Sequence, residues 1–191
     1  MTEDKVKTAV DQQVGLLQNF VLKEQELLQE IASQILATFH QGGRMFICGR
    51  GPFGAIASLL GQAFIYRQTL ERPALPVIAL SNDAGLATFL AAENQSEQYF
   101  SRQLRALATG QDVVLLLAGS FLGRAEQEVV DTMRELGGRV ILIASAHVET
   151  SGVLPDTTLA IPTDSEPSLL ETTVTSGNLI CNLTEGGLFG F

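Results

Sequence analysis

Hydrophobic positions change their period along this chain of 191 residues. Val6, Val10, Val14 and Leu17, then Leu27, Ile31, Ile35 and Phe39, return at steps of three and four, which gathers apolar side chains on one helical face. Residues 1–43 therefore read as a helical arm of one or two pieces. Gly42-Gly43 closes it, where a left-handed C-cap residue is wanted. Two uses stand level: a bundle that joins copies of the chain, or a helix laid on its own domain. From residue 44 onward the pattern becomes short unbroken apolar runs separated by helical periods. The runs at 45–48, 77–80, 113–117, 140–143 and, more weakly, 158–161 predict strands. The stretches 52–66, a short one near Leu86, 95–107, 124–136 and a last one from about residue 167 predict helices. Strands that do not alternate are covered on both faces. Residues 44–191 thus predict an α/β domain, a doubly wound five-stranded parallel sheet of the flavodoxin-like kind. Local signals agree: Pro52 and Pro167 suit first turns, Asn94 followed by Glu97 reads as a capping box, and Gly137-Gly138 closes a helix.

Hydrophobic residues make up 46% of the chain and charged ones 17%, enough for a sizeable core with apolar surface left for self-association. A net charge of -9 and the lack of any Lys/Arg run exclude direct binding of nucleic-acid backbones, which needs clustered positive charge. The opening Met1-Thr2-Glu3-Asp4 is acidic and leads into an amphipathic stretch, unlike a signal or transit peptide, and no apolar run reaches the length of a membrane span. Cys48 and Cys181 lack CxxC spacing and read as small core hydrophobes. The expected location is the reducing cytoplasm.

In open parallel sheets ligands bind beyond the carboxyl ends of the strands, so the residues after each run are the candidates. Gly49, Gly51 and Gly54 follow the first run with GxGxxG spacing, and such a turn aims backbone N–H groups and a positive helix end at an anion. The acidic residue that dinucleotide binding requires at the end of the next strand falls too late, at Asp83, so a plain tight turn explains the glycines equally well. Ser81-Asn82-Asp83 could orient sugar hydroxyls, with one of the three capping the next helix. Residues 118–123, Ala-Gly-Ser-Phe-Leu-Gly, repeat the small-residue loop between strand and helix. His40 and His147 have no second ligand at metal spacing, so no metal is expected. Glu171, among Leu169, Leu170 and Val174, reads either as a buried base or as a solvated helix carboxylate.

Together, the arm, the two glycine turns and the Ser-Asn-Asp turn resemble the sugar isomerase (SIS) domain family over nearly the whole chain. Gly42-Gly43-Arg44-Met45-Phe46-Ile47-Cys48-Gly49-Arg50-Gly51 is similar to the family's opening strand and loop, Ser81-Asn82-Asp83 to its second turn, and Phe100-Ser101-Arg102 to a following helix. Asp112-Val113-Val114-Leu115, and Arg134-Glu135 through Val140-Ile141, track its third strand, the next helix and its fourth strand without a gap. The branch most resembled is that of the phosphoheptose isomerases and their relative, the DnaA-associating replication initiation protein.

The resemblance implies a bound phosphosugar. In the isomerase branch it also implies a metal and acid–base set, formed by a His and a Glu on the first domain helix with a Gln and a His on the last. The positions that fall there are Leu59, Ala63, Leu170 and Asn178, none of which holds zinc or moves a proton at neutral pH. The family's first loop, roughly GNGGS, is here Gly49-Arg50-Gly51-Pro52-Phe53, and its phosphate loop, STSGNS, keeps one hydroxyl at Ser120. The expected ligand is an anionic, sugar-phosphate-like small molecule held at Gly49, Arg50, Gly51, Asn82, Asp83, Gly119 and Ser120, with Arg50 supplying charge and no cofactor. The expected assembly is a homodimer or homotetramer acting as sensor or scaffold. Two other readings stand beside it. One is an active isomerase with Glu171 or Asp83 as base and His147 as acid. The other is an interaction module in which Phe53, Phe121 and Leu122 close the pocket and anchor a protein partner.

Overall fold

The computed structural model describes residues 2–68, 71–150 and 152–190. Helices α1 (Thr2–Lys23) and α2 (Gln25–His40) form the arm. Then come β1 (Met45–Gly49), α3 (Pro52–Ile65), β2 (Val77–Ala79), α4 (Ala84–Ala92), α5 (Tyr99–Leu107), β3 (Val113–Leu117), α6 (Arg124–Leu136), β4 (Arg139–Ser145), β5 (Thr157–Ile161) and α7 (Glu166–Phe189). The strands form one five-stranded sheet in the order β2-β1-β3-β4-β5, every pair parallel. The doubly wound α/β fold is as predicted. Because β1 sends the chain first to β2 and then across to β3, the order reverses at β1, and a crevice opens there above the carboxyl ends. Met45 pairs with Val113 and Gly49 with Leu117, so β1 and β3 end level and their two loops emerge side by side.

Residues of β1 alternate between two apolar layers. Met45 and Ile47 join α3, α7 and Leu28, Ile31 and Ile35 of α2, while Phe46 and Cys48 join Phe100 and Leu104 of α5 and Val129 and Met133 of α6. Burial on both faces is why these runs carry no polar alternation. The arm divides between its two readings: α2 lies on its own domain, whereas Val6, Val10 and Val14 of α1 stay exposed. Burial pushes the Cys181 thiol up to about 12, helped by the nearby Glu185 charge, and raises Cys48 further still, so both behave as protonated core groups.

The caps explain where prediction held and where it slipped. Gly42, at φ +81°, follows α2, and the Gly42 and Gly43 amides donate to Phe39 and Thr38 at 3.0 and 2.9 Å, a Schellman arrangement. Gly137, at φ +79°, ends α6 in the same way, with the Gly138 amide on the Met133 carbonyl at 2.9 Å. The Asn94/Glu97 capping box does not form. Asn94, at φ +55°, instead terminates α4, and the following Gln95 amide reaches back to the Leu90 carbonyl at 2.8 Å. The next segment starts as a 3-10 turn, Ser96–Gln98, without a side-chain cap.

The level start of β1 and β3 depends on Asp112. Its buried carboxylate accepts from the Arg44 amide at 2.6 Å and from the Thr109 amide and hydroxyl at 2.6 and 3.0 Å. Asp112→Ala strands these donors and is expected to cost about 3 kcal/mol in urea unfolding, the scale of buried groups left unsatisfied. A loss below about 1 kcal/mol would show that water replaces the carboxylate.

Candidate functional site

A cleft of about 560 Å³ opens above β1 and β2, lined among others by Gly49, Arg50, Ser58, Ser81, Asn82, Asp83, Ser96 and Tyr99. The turn after β1 builds one wall. Gly51 sits at φ +56°, which strains any side-chain-bearing residue, and a Cβ on Gly49 would come within 2.8 Å of the Leu117 carbonyl. The tight-turn reading of the glycines is therefore sufficient. The expectation of bare amides at the start of α3 is corrected: Pro52 has no N–H, and the Phe53 and Gly54 amides donate to Arg50 and Gly51 carbonyls at 3.1 and 3.0 Å.

The other wall is the 3-10 turn Leu80–Asn82 with the start of α4. Ser81 donates to the Gly49 carbonyl at 3.2 Å and ties the two loops together. Asp83 caps α4 as expected of one member of its trio, accepting from the Leu86 amide at 2.9 Å. Ser58 donates to Asn82 Oδ1 at 2.7 Å, which leaves the Asn82 amide hydrogens for an acceptor in the cleft. The Tyr99 hydroxyl accepts from the Asp83 amide at 2.9 Å and donates to its carbonyl at 3.1 Å. Burial holds that phenol protonated above its ordinary range. The cleft thus presents hydroxyls, an amide and a carboxylate on a fixed backbone.

Beyond Arg50 the second glycine turn, 118–123, lies against the loop after β4: the Glu149 amide donates to the Ser120 carbonyl at 2.9 Å and the Leu122 amide to the Glu149 carbonyl at 3.0 Å. A smaller cavity of about 310 Å³ opens there, with Arg50, Phe53, Gly119, Ser120 and Phe121 on its wall beside Thr163 and Ser165. Arg50 borders both openings, yet its charge is already committed. Nε and Nη2 donate to Glu126 Oε1 and Oε2 at 2.5 and 2.9 Å, with Glu126 only 3% exposed and Arg50 54%. Sequence reasoning missed Glu126, because an acidic residue in the first turn of a helix is ordinary. It also missed Ser58 and Tyr99, which reach the cleft only through the fold.

The remaining candidates scatter. His147 is exposed after β4, 3.7 Å from Asp164, and Glu171 faces solvent on α7; neither lines the cleft or the smaller cavity. The buried-base reading of Glu171 is therefore corrected. Phe53 and Leu122 belong to the core, and of the three greasy residues only Phe121 stands exposed. Leu59 is half exposed on α3, Ala63 and Leu170 pack partly buried against the core, and Asn178 Oδ1 accepts from Gln68 Nε2 at 2.9 Å. Among the described residues no group of three or more His, Cys, Asp or Glu is placed to hold a metal ion, and no helix is long and apolar enough to cross a membrane.

Known proteins share this architecture. Phosphoheptose isomerase of Thermodesulfovibrio yellowstonii is 29% identical over 187 residues, covering 98% of this chain and 93% of its own length. That of Trichlorobacter lovleyi is 31% identical over 161 residues, covering 84% of this chain and 82% of its own. The solved phosphoheptose isomerase of Francisella tularensis superposes with a TM-score of 0.87 at 21% identity, over 96% of this chain and 98% of that one. The SIS domain model matches residues 10–145, from within α1 to the end of β4. Both glycine turns and the whole cleft lie inside that match, and the chain belongs to the SIS domain family.

Proposed function

We propose that this chain binds a sugar derivative, a phosphosugar or a similar anionic metabolite, in the cleft above β1 and β2, as a sensor or scaffold without isomerase turnover. The observation that carries this reading is a contrast. The cleft gathers Ser58, Ser81, Asn82, Asp83 and Tyr99 around open space, while Leu59, Ala63, Leu170 and Asn178 stand where the resemblance places the metal and proton-transfer set. Polar groups that fix an orientation on a rigid loop suit recognition of hydroxyls. Membership of the SIS family and the similarity to phosphoheptose isomerases support a sugar phosphate as the ligand class. The exposed valine stripe of α1 supports self-association, as homodimer or homotetramer, as the use of the arm.

The test is calorimetric titration of the purified chain with a panel of aldose and ketose phosphates and their unphosphorylated sugars, starting from sedoheptulose 7-phosphate. At least one member is expected to bind saturably. Asn82→Ala, which deletes the freest donor in the cleft, is expected to weaken binding about tenfold, the worth of one good hydrogen bond. No heat from any member at millimolar concentration would end this reading.

A further inference from the structure

The turn between β3 and α6 has the form of an anion cradle, with glycines leading into a helix of thirteen residues whose first-turn amides have no partner inside the helix. The first α6 amide to find one is that of Gln127, on the Gly123 carbonyl at 3.0 Å. Glu126 lies in that first turn, and its carboxylate is turned back onto the loop: a Cβ at Gly123 would stand 3.2 Å from Glu126 Oε2 and 2.8 Å from Arg50 Nη2. The pair rests on the backbone of the turn itself. Glu126 is buried and bound through both oxygens, so withdrawing Arg50 to serve a ligand would leave a buried carboxylate without its counter-charge.

We propose that Glu126 is the built-in anion of this turn: with Arg50 as its counter-ion it fills the place of an external phosphate, excludes dianions from the β3–α6 loop, and so sets the specificity of the site. The charge bookkeeping is local. Helix end and guanidinium contribute positive potential, Glu126 cancels much of it at contact range, and Asp164 and Glu166, which also line the smaller cavity, add to the like charge that an incoming dianion meets. Arg50 Nη1 has no hydrogen-bond partner among the described residues, and it remains a donor for a hydroxyl or carbonyl oxygen. The inference rests on the reading above in one respect only, that the sugar part of the ligand lies in the neighbouring cleft. A ligand recognised there presents neutral oxygens to Arg50 and carries any phosphoryl group away from Ser120.

The experiment follows amide signals by NMR while inorganic phosphate is titrated into the wild-type chain, Glu126→Gln, Glu126→Val and the Arg50→Gln/Glu126→Gln double variant. Phosphate is expected to shift the amides of Gly119, Ser120 and Gly123 in Glu126→Gln with at least tenfold higher affinity than in the wild type. Glu126→Val covers the case in which the amide variant misfolds. The double variant is expected to lose the gain, since the freed guanidinium is its source. Equal phosphate affinity in wild type and both single variants, or no phosphate binding in any of them, overturns the proposal. A sugar phosphate that shifts Asn82 and Asp83 in the wild type while neither variant gains phosphate affinity would remove this inference and keep the function. A phosphate gain in the variants with no sugar binding to the wild type would do the reverse.

Discussion

Replacing Arg72 by alanine is expected to lower the free energy of unfolding by about 3–5 kcal/mol, the scale of a buried ion pair that loses one partner. Arg72 and Glu185 are buried together, with side chains 1% and 2% exposed. Arg72 Nε and Nη2 donate to Glu185 Oε1 at 2.8 and 2.5 Å, Nη2 also to the Ala63 carbonyl at 3.0 Å, and Nη1 to the Pro73 carbonyl at 2.9 Å. The Gln68 amide and the Cys181 thiol turn toward the same Glu185 oxygen, at 3.4 and 3.7 Å. Truncation leaves a carboxylate inside α7 with no cation, together with carbonyls that lose their donors, and the penalty is that of an unpaired buried charge rather than of one lost contact. Arg72→Met combined with Glu185→Leu removes both charges at similar volume and should restore most of the loss. Urea unfolding of the three proteins makes the comparison. A single-variant loss below about 1 kcal/mol would mean that solvent reaches the pair.

That ion pair joins positions 113 apart in the sequence, and the Arg50–Glu126 pair joins positions 76 apart. Neither was legible, for the same reason. A charge announces its partner only at helical or cross-strand spacing, and these partners meet because the topology folds α7 onto α3 and sets the start of α6 beside the turn after β1. What could be read was local. Met45, Phe46, Ile47 and Cys48 form an unbroken apolar run because the sheet is covered on both faces, and Gly42-Gly43 reads as a stop because only a left-handed residue closes α2 there. Asn94 shows the limit of local signals. Asparagine suits both an N-cap and a left-handed terminator, and in the fold it stands as the C-terminal stop of α4. The same divide runs through the site. Asn82 and Asp83 could be placed at a strand end from sequence, whereas the commitment of the α3 amides and of the Arg50 charge emerged only in three dimensions.

Purified wild-type protein is expected to isomerise sedoheptulose 7-phosphate no faster than buffer, with or without added zinc. Aldose–ketose interconversion removes a proton from carbon next to a carbonyl, and a base must stand within hydrogen-bond reach of it; that service is worth about 10²–10⁴ in rate. In the positions where the resemblance places this set, α3 carries Leu59 and Ala63, and α7 carries Leu170 and Asn178. The first three are hydrocarbon. Asn178 does not exchange a proton near neutrality, and its side-chain oxygen is held by Gln68 Nε2. Substitute bases are badly placed: Asp83 spends an oxygen on the Leu86 amide, and Glu171 and His147 are exposed outside both cavities. Discontinuous or NMR-detected turnover over several hours decides the matter, since it reads rates far below those of a working enzyme. Isomerisation well above buffer would overturn the expectation, and its loss in Glu171→Gln would then assign the base to a carboxylate that must move inward to act. A null result alongside saturable sugar binding would mean that recognition persists on a scaffold whose proton-handling positions are hydrocarbon and amide.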